Sequence, residues 1–396
     1  MTGLNQPDQF ARDVIASIMA VTGNTATALH EPEFDGNEWN YVKECIDTNF
    51  VSSVGKFVDK FERDLEEYTG SKHAIAVTNG TSALHISLLL AGVELGDEVL
   101  VPALTFVATA NAVVYCGANP HFVDSEDGSL GIDHAKLRSY LQSTTTVSAG
   151  VCRNRKTGRV IRAIVPMHTF GHPSRVEELL EVCSEFRITM VEDAAESLGS
   201  FYKQKHTGTF GLLGTLSFNG NKIITTGGGG AILTDNSELA RKAKHLTTTA
   251  KIPHKWRYSH DQVGYNYRLP NLNAALGCAQ LENIEKKIER KRKLYELYKQ
   301  AFAQISGINV YQENLNCRSN YWLQTLLLES QKSNLRDQIL LMADELELQL
   351  RPAWDLISGL IPYKHYQRME LDSSEKLSNR IINVPSSPGI VKYAKH

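Results

Sequence analysis

The sequence predicts an α/β protein: a large domain on a mostly parallel seven-stranded sheet, followed by a smaller α+β domain. Three observations carry this. Between residue 57 and about 235, seven short apolar runs alternate with helix-period segments, the pattern of parallel strands covered by helices. After Leu272 a long helical periodicity begins, and beyond about residue 300 an apolar run, a helix candidate and a helical tail follow. The 396 residues are enough for one large core and a smaller one. The resulting division is an N-terminal helix or arm over 1–35, a large domain over 36–285 and a small C-terminal domain over 286–396.

In chain order, Phe10, Val14, Ile18 and Met19 fall at helical spacing and predict an amphipathic helix that packs on one of the two domains. The apolar stretch Val14 to Val21 follows Arg12 and Asp13 and leads into no small-residue cleavage site, so it does not read as an export signal. The strand candidates are Ala74 to Val77, Glu98 to Val101, Pro120 to Val123, Ala163 to Pro166, Thr189 to Val191, Thr215 to Phe218 and Ala231 to Leu233. Helices are predicted over Thr81 to Ala91, Val107 to Cys116, Ser174 to Phe186 and Glu238 to His245. The basic segment Arg153 to Arg162 reads as an exposed loop or hairpin. Ala274, Leu276, Leu281, Ile284 and Ile288 mark one helical face running into Glu285 to Lys293, whose charges form a solvated face. Tyr321 to Leu328 is an apolar run and Leu335 to Leu346 a helix candidate.

Hydrophobic residues at 42% and charged residues at 22% are ordinary globular composition. A formal net charge of -2 and the lack of a basic stripe argue against a nucleic-acid partner. The six cysteines are scattered without a C-x-x-C pair, so reduced, mostly buried thiols are expected. No segment has the length of a membrane span. The reading is a cytoplasmic protein without a membrane partner.

Three stretches carry candidate chemistry. In Val77 to Leu84 a strand ends in a Gly turn and a helix begins at Thr81 or Ser82, where backbone N–H groups form an anion site; read alone, this is equally a plain helix cap. Val191 to Ser197 puts Asp193 just past an apolar strand, where open α/β sheets bind ligands. A lone Asp there could also cap a helix or bind an arginine. Ser217 to Thr226 contains Lys222 between apolar residues and the run Gly227 to Gly230. Partial desolvation would make such a lysine an amine nucleophile, although most lysines are simply solvated. The Gly run fits neither a Walker A nor a G-x-G-x-x-G fingerprint, since a strand follows it. A phosphate cradle, a carboxylate and a lysine together meet the attachment needs of pyridoxal phosphate at its phosphate, ring nitrogen and aldehyde.

With those residues in place, the chain resembles the DegT/DnrJ/EryC1/StrS family of sugar aminotransferases over roughly Leu29 to Ser387. The resemblance implies the type I aminotransferase fold and pyridoxal 5'-phosphate held as an internal aldimine on Lys222, which also moves the proton. By the same resemblance Asp193 keeps the ring nitrogen protonated, Phe106 stacks on the ring, and Gly80, Thr81 and Ser217 hold the phosphate. Glu196 stands where many members carry Gln or His, three residues after the ring-nitrogen Asp. An ionised Glu only accepts hydrogen bonds, so contact with the phenolic oxygen needs a proton on one partner. Gly264 to Pro270 matches the segment that reaches into the partner subunit, with Asn266 on the phosphate there, which implies a homodimer with shared sites. Met167 to Pro173 matches a family loop. Its His168 and His172 have i,i+4 spacing, but a Gly-Pro loop is a poor helix and no metal site is read there.

Several segments resemble the LegC-type branch: Leu29 to Pro32, Phe50 to Val58, Thr247 to Trp256, Ser319 to Trp322 and Asn383 to Ser387. That branch implies amination at C4 of a UDP-linked 4-keto-6-deoxy-N-acetylhexosamine, with glutamate as donor, for legionaminic acid or bacillosamine-type glycans. Ser52, Ser53 and Tyr321 are candidates for sugar or nucleotide contact; turn formation and core packing are their ordinary alternatives. The competing readings are amination at C3 and a non-catalytic regulator that kept the cofactor or nucleotide site. The family's dehydratase side-branch carries His in place of the lysine, and an NAD enzyme would need the missing Gly fingerprint.

Overall fold

The computed structural model describes residues 8–23 and 26–392. All seven strand candidates enter one sheet: β1 His73–Val77, β2 Glu98–Pro102, β3 Asn119–Val123, β4 Ile161–Ile164, β5 Thr189–Asp193, β6 Leu213–Ser217 and β7 Gly230–Thr234, in the order β1-β7-β6-β5-β4-β2-β3. Neighbours pair in parallel from β6 through β3, while β7 runs antiparallel to both β1 and β6. This is the mostly parallel sheet of the type I aminotransferase fold. Its strands are buried along nearly their whole length, which is why they read as continuous apolar runs rather than alternating ones.

Helices cover both faces. Among the described residues up to Thr247 the α-helices are α1 Gln9–Thr22, α2 Gly80–Leu90, α3 Val107–Tyr115 and α4 Val176–Phe186, with further helices at Glu38–Asp47, Lys56–Thr69, His134–Thr144 and Ser237–Thr247. The long helical pattern after Leu272 is two helices, α5 Asn271–Glu282 and α6 Ile284–Ala301, broken at Asn283. The expected boundary at 285/286 therefore falls in the first turn of α6. The segment Arg153 to Arg162, read as a loop or hairpin, begins in the last two residues of strand Val151–Asn154, which forms a hairpin with Thr145–Ser148, and Arg153 bridges Val160 across the following turn.

The C-terminal part carries a second, antiparallel sheet of β8 Ile308–Val310, β9 Gln324–Leu328, β10 Arg351–Pro352 and β11 Ile381–Val384, in the order β8-β9-β11-β10. The expectation of a helical tail is corrected here. Ile381–Val384 is a fully buried central strand, and among the described residues after 371 only Asp372–Ser378 and a 3-10 turn at Pro388–Lys392 are helical. The α1 helix packs Phe10, Val14 and Ile18 against Leu294 and Tyr298 of α6 and against Leu326, Leu328, Ile382 and Val384. Asp8 caps its start and Gly23, in the left-handed region, ends it. The six cysteines are unpaired, four of them buried. Among the described residues no helix is long and apolar enough to cross a membrane.

Candidate active site

The parallel strands place their C-terminal ends along one rim, and there a cavity of about 330 Å³ opens. Its wall includes Gly80, Thr81, Phe106, Asp193, Glu196, Ser217 and Lys222. These seven predicted residues come from four separate stretches of sequence and meet at one place.

Gly80 and Thr81 open α2. Asn79 caps the helix by accepting the Ser82 N–H at 2.8 Å, and the N–H groups of Gly80 and Thr81 have no intrahelical acceptor. The packing here requires glycine: a Cβ on Gly80 would stand 2.9 Å from Ser217 Cβ, and one on Gly230 would fall within 2.7 Å of the Asn79 and Gly80 backbone. The Gly run thus lets the start of β7 lie against the helix start. Ser217 ends β6 and is half-buried beside Gly80.

Asp193 ends β5 and is buried. Its Oδ2 accepts from Thr109 Oγ1 at 2.7 Å and its Oδ1 from the Ala195 N–H at 3.2 Å. Burial pushes its pKa up; the hydroxyl, the N–H and the positive charge of Lys222 oppose the rise. Such a carboxyl favours a positive donor in the cavity. Its neighbour Glu192 points the other way, where the N–H groups of Gly208, Phe210 and Gly211 and His168 Nε2 all donate to it. Burial works against the Glu192 carboxylate, but these donors outweigh it and hold its pKa low. His168 also accepts the Ser174 N–H at Nδ1, so both its nitrogens are engaged. His172 packs edge-on to Tyr311 and Tyr321, and burial pushes it down to about 3. Among the described residues no group of His, Cys, Asp or Glu could hold a metal.

Lys222 lies in the loop between β6 and β7, with 12% of its side chain exposed. Its Nζ is 3.3 Å from Glu196 Oε1 and 3.8 Å from the centroid of the Trp322 ring. Glu196 Oε2 accepts the Phe170 N–H at 2.9 Å. Burial raises the Glu196 pKa to about 7; Lys222 and the Phe170 N–H pull it down, and Asp193 adds to the rise. Phe106, half exposed at the start of α3, lines the cavity together with Ala108, and its ring sits 6.4 Å from Trp354.

Four predicted contact residues are not at this cavity. Tyr321 is buried, stacked on Tyr295 at 4.6 Å with its hydroxyl near the Glu313 N–H, so its ring packs away from this cavity. The carbonyls of Ser52 and Ser53 accept from the Asn271 N–H and Arg268 Nη2, and their side chains lie outside the cavity wall. Asn266 is exposed, in a segment tied to the end of β1 by the Tyr267 carbonyl and a bridge at Arg268. Conversely, Thr109, Trp322 and Trp354 reach the site without having been singled out. Thr109 was legible: it follows Thr105 by four residues in the otherwise apolar start of α3, and the two hydroxyls lie 3.0 Å apart. The tryptophans come from irregular chain on either side of β9 and β10, with no periodic signal.

A buried carboxyl, an amine on a loop and a helix start around one cavity fit the ring nitrogen, aldehyde and phosphate of pyridoxal phosphate, and the fold is that of the enzymes that use it for amino transfer. The chain belongs to the DegT/DnrJ/EryC1/StrS aminotransferase family, whose sequence model matches residues 32–394. It is 37% identical to the GDP-perosamine synthase of Caulobacter vibrioides (strain ATCC 19089 / CIP 103742 / CB 15) over 91% of this chain and 93% of that one. The GDP-perosamine synthase of Vibrio cholerae is 35% identical over 91% and 94%. A crystal structure of a DegT DnrJ EryC1 StrS aminotransferase from Brucella abortus superimposes with a TM-score of 0.79 at 27% identity, covering 90% of this chain and 95% of that one. The protein is accordingly a pyridoxal-phosphate-dependent sugar aminotransferase.

Proposed function

We propose that the chain aminates C4 of a UDP-linked 4-keto-6-deoxy-N-acetylhexosamine, with glutamate as the amino donor, in the making of a legionaminic acid or bacillosamine-type glycan. The observation that carries the chemistry is the single cavity in which Lys222, Asp193 and the Gly80–Thr81 helix start converge. The choice of sugar rests on the LegC-type segments, Leu29 to Pro32 and Thr247 to Trp256 among them.

Bound pyridoxal phosphate supplies an electron sink that stores the amino group between donor and acceptor. Lys222 is the residue that would hold it covalently, and its freed amine would serve as the base and acid that moves the proton during amino transfer. Asp193, fixed by Thr109 and Ala195, holds a proton on the ring nitrogen. The Gly80 and Thr81 N–H groups with the Ser217 hydroxyl bind the phosphate, where the positive end of α2 favours the anion. Phe106 offers its face to the ring. Glu196 meets the phenolic oxygen with a shared proton, which its raised pKa supplies near neutrality. Asn266, exposed and outside the wall of its own cavity, is proposed to serve the phosphate of a second subunit in a homodimer. The division into an arm, a large domain to residue 285 and a small domain belongs to the same proposal.

A second reading has its own support: two relatives at 37% and 35% identity are named GDP-perosamine synthases, which makes a GDP-linked sugar the competing substrate. The test is to offer the cofactor-loaded protein UDP- and GDP-linked 4-keto-6-deoxy sugars with glutamate and to locate the new C–N bond by NMR. Turnover of the UDP sugar with nitrogen at C4 supports the first reading. Exclusive use of the GDP sugar, or nitrogen at C3, replaces it.

A further inference from the structure

Lys222 is held from two sides, and the two contacts are mechanically linked. Asn320, fully buried, accepts the Trp322 N–H through Oδ1 at 2.7 Å and donates through Nδ2 to the carbonyls of Glu196 and Leu198, each at 2.9 Å. The Trp322 indole N–H donates to the carbonyl of Asn221, the residue before the lysine, at 2.6 Å. The ring is therefore tied at its backbone to the Glu196 segment and at its edge to the lysine's own loop. Gly171 closes the latch from behind: a Cβ there would fall 1.9 Å from Asn320 Oδ1. An indole present only to fill space would need neither tie.

The contact distances differ in kind. Charge-assisted hydrogen bonds run at about 2.7–2.9 Å, so Glu196 at 3.3 Å does not grip the amine closely. A cation 3.8 Å from an indole centroid lies well inside the roughly 6 Å reach of a cation–π contact, which strengthens when water is excluded. An aromatic face also holds a cation without neutralising it and without a directional bond that must break on release.

We infer that Trp322 is a positioning residue for amino transfer: its indole face is the resting place of the Lys222 side chain whenever that amine is not covalently engaged, which keeps it at the cavity wall and ready to return. The inference rests on the proposed assignment of Lys222 as the amine that carries the cofactor.

The test uses the full-length protein freed of cofactor. Of its four tryptophans, Trp39 and Trp256 are exposed, Trp322 is buried and Trp354 partly so. Lys222→Met is expected to change the near-UV circular dichroism of the buried indoles, and the same substitution in a Trp322→Phe background to change it no further. A silent Lys222→Met, or an equal change in the Trp322→Phe background, overturns the inference. In stopped-flow, Trp322→Leu is expected to slow capture of added pyridoxal phosphate by about tenfold, the order of one desolvated cation–π contact, while Trp322→Phe, which keeps a face, recovers most of the rate. Equal slowing in both variants, matched by equal losses of Tm, would mean plain packing and would also overturn it. Borohydride trapping with peptide mass analysis separates the two layers. A label away from Lys222 removes the functional reading itself, whereas a label on Lys222 with silent circular dichroism removes only the role of Trp322.

Discussion

Replacing Glu196 by Gln is expected to remove a pH dependence of stability that wild-type protein freed of cofactor must show. Glu196 is buried between Lys222 and the Phe170 N–H, and burial lifts its pKa from 4.5 to about 7. The sign follows from proton counting. Below pH 4.5 the carboxyl is protonated in folded and unfolded chains alike and contributes no slope. Between 4.5 and 7 the folded chain keeps the proton that the unfolded chain has lost, so stability falls as pH rises, and above 7 the loss is complete. At about 1.4 kcal/mol for each tenfold in proton affinity, the loss is roughly 3 kcal/mol. Gln cannot titrate. Its amide oxygen can accept from Phe170 or face Lys222 but not both, which adds a cost that does not vary with pH. The assay is therefore the difference between the two proteins: urea unfolding of each from pH 4.5 to 7.5, with wild type losing stability relative to the variant and levelling off above 7. A flat or rising difference would refute the burial argument and leave Glu196 an ordinary ionised carboxylate.

Three further outcomes are expected. Lys222→Ala should abolish turnover while leaving the far-UV circular dichroism near wild type, since the role proposed for the lysine is chemical; full activity would end that assignment. Asn266→Ala mixed with Lys222→Ala should regain activity, because a heterodimer would contain one site with both residues intact; no rescue counts against shared sites. Thr109→Val keeps the side-chain shape but removes the 2.7 Å donor to Asp193 Oδ2, and a hydrogen bond to a charged group is worth about 1.5–3 kcal/mol. The bond already exists without cofactor, so only the part of it that strengthens when Asp193 meets a positive donor reaches the affinity, and the cofactor Kd measured by absorbance should rise in the variant by up to about tenfold.

How far the fold was legible depended on what each segment buries. The strands of the large sheet were readable because each is a short apolar run and five of the seven are followed by a helix pattern, as parallel strands covered on both faces require; only Thr189–Asp193 and Leu213–Ser217 lead to the next strand of the sheet without an intervening helix. Ile381–Val384 is just as buried but sits directly after the helix Asp372–Ser378, and three apolar residues interrupted by Asn383, without alternation, cannot be told from the end of a helix by periodicity. Site residues followed the same logic. Asp193, Ser217 and Gly80 stand at ends of strands or starts of helices, where the sheet's own geometry directs a ligand. Trp354 lies just past a two-residue strand, in chain whose course is set by tertiary contacts alone.

The exchange of Tyr321 for Trp322 has a sharper cause. Ser319 to Trp322 holds both aromatics, and in an extended chain consecutive side chains point to opposite faces, so which of the two faces the cavity is a matter of phase. Tyr321 adopts φ +47, in the left-handed region that β-branched and aromatic residues rarely enter. That turn sends the Tyr321 ring back onto Tyr295 and His172 and the Trp322 ring forward over Lys222. The strain is held by Asn320, whose side chain accepts the Trp322 N–H, and by Ser319 Oγ, which accepts the Tyr321 N–H at 3.0 Å. A Ser-Asn pair before two aromatics is the sequence trace of this turn, since both side chains readily bond the backbone two residues on. Read that way, the polar pair marks Trp322 and not Tyr321 as the residue delivered to the site.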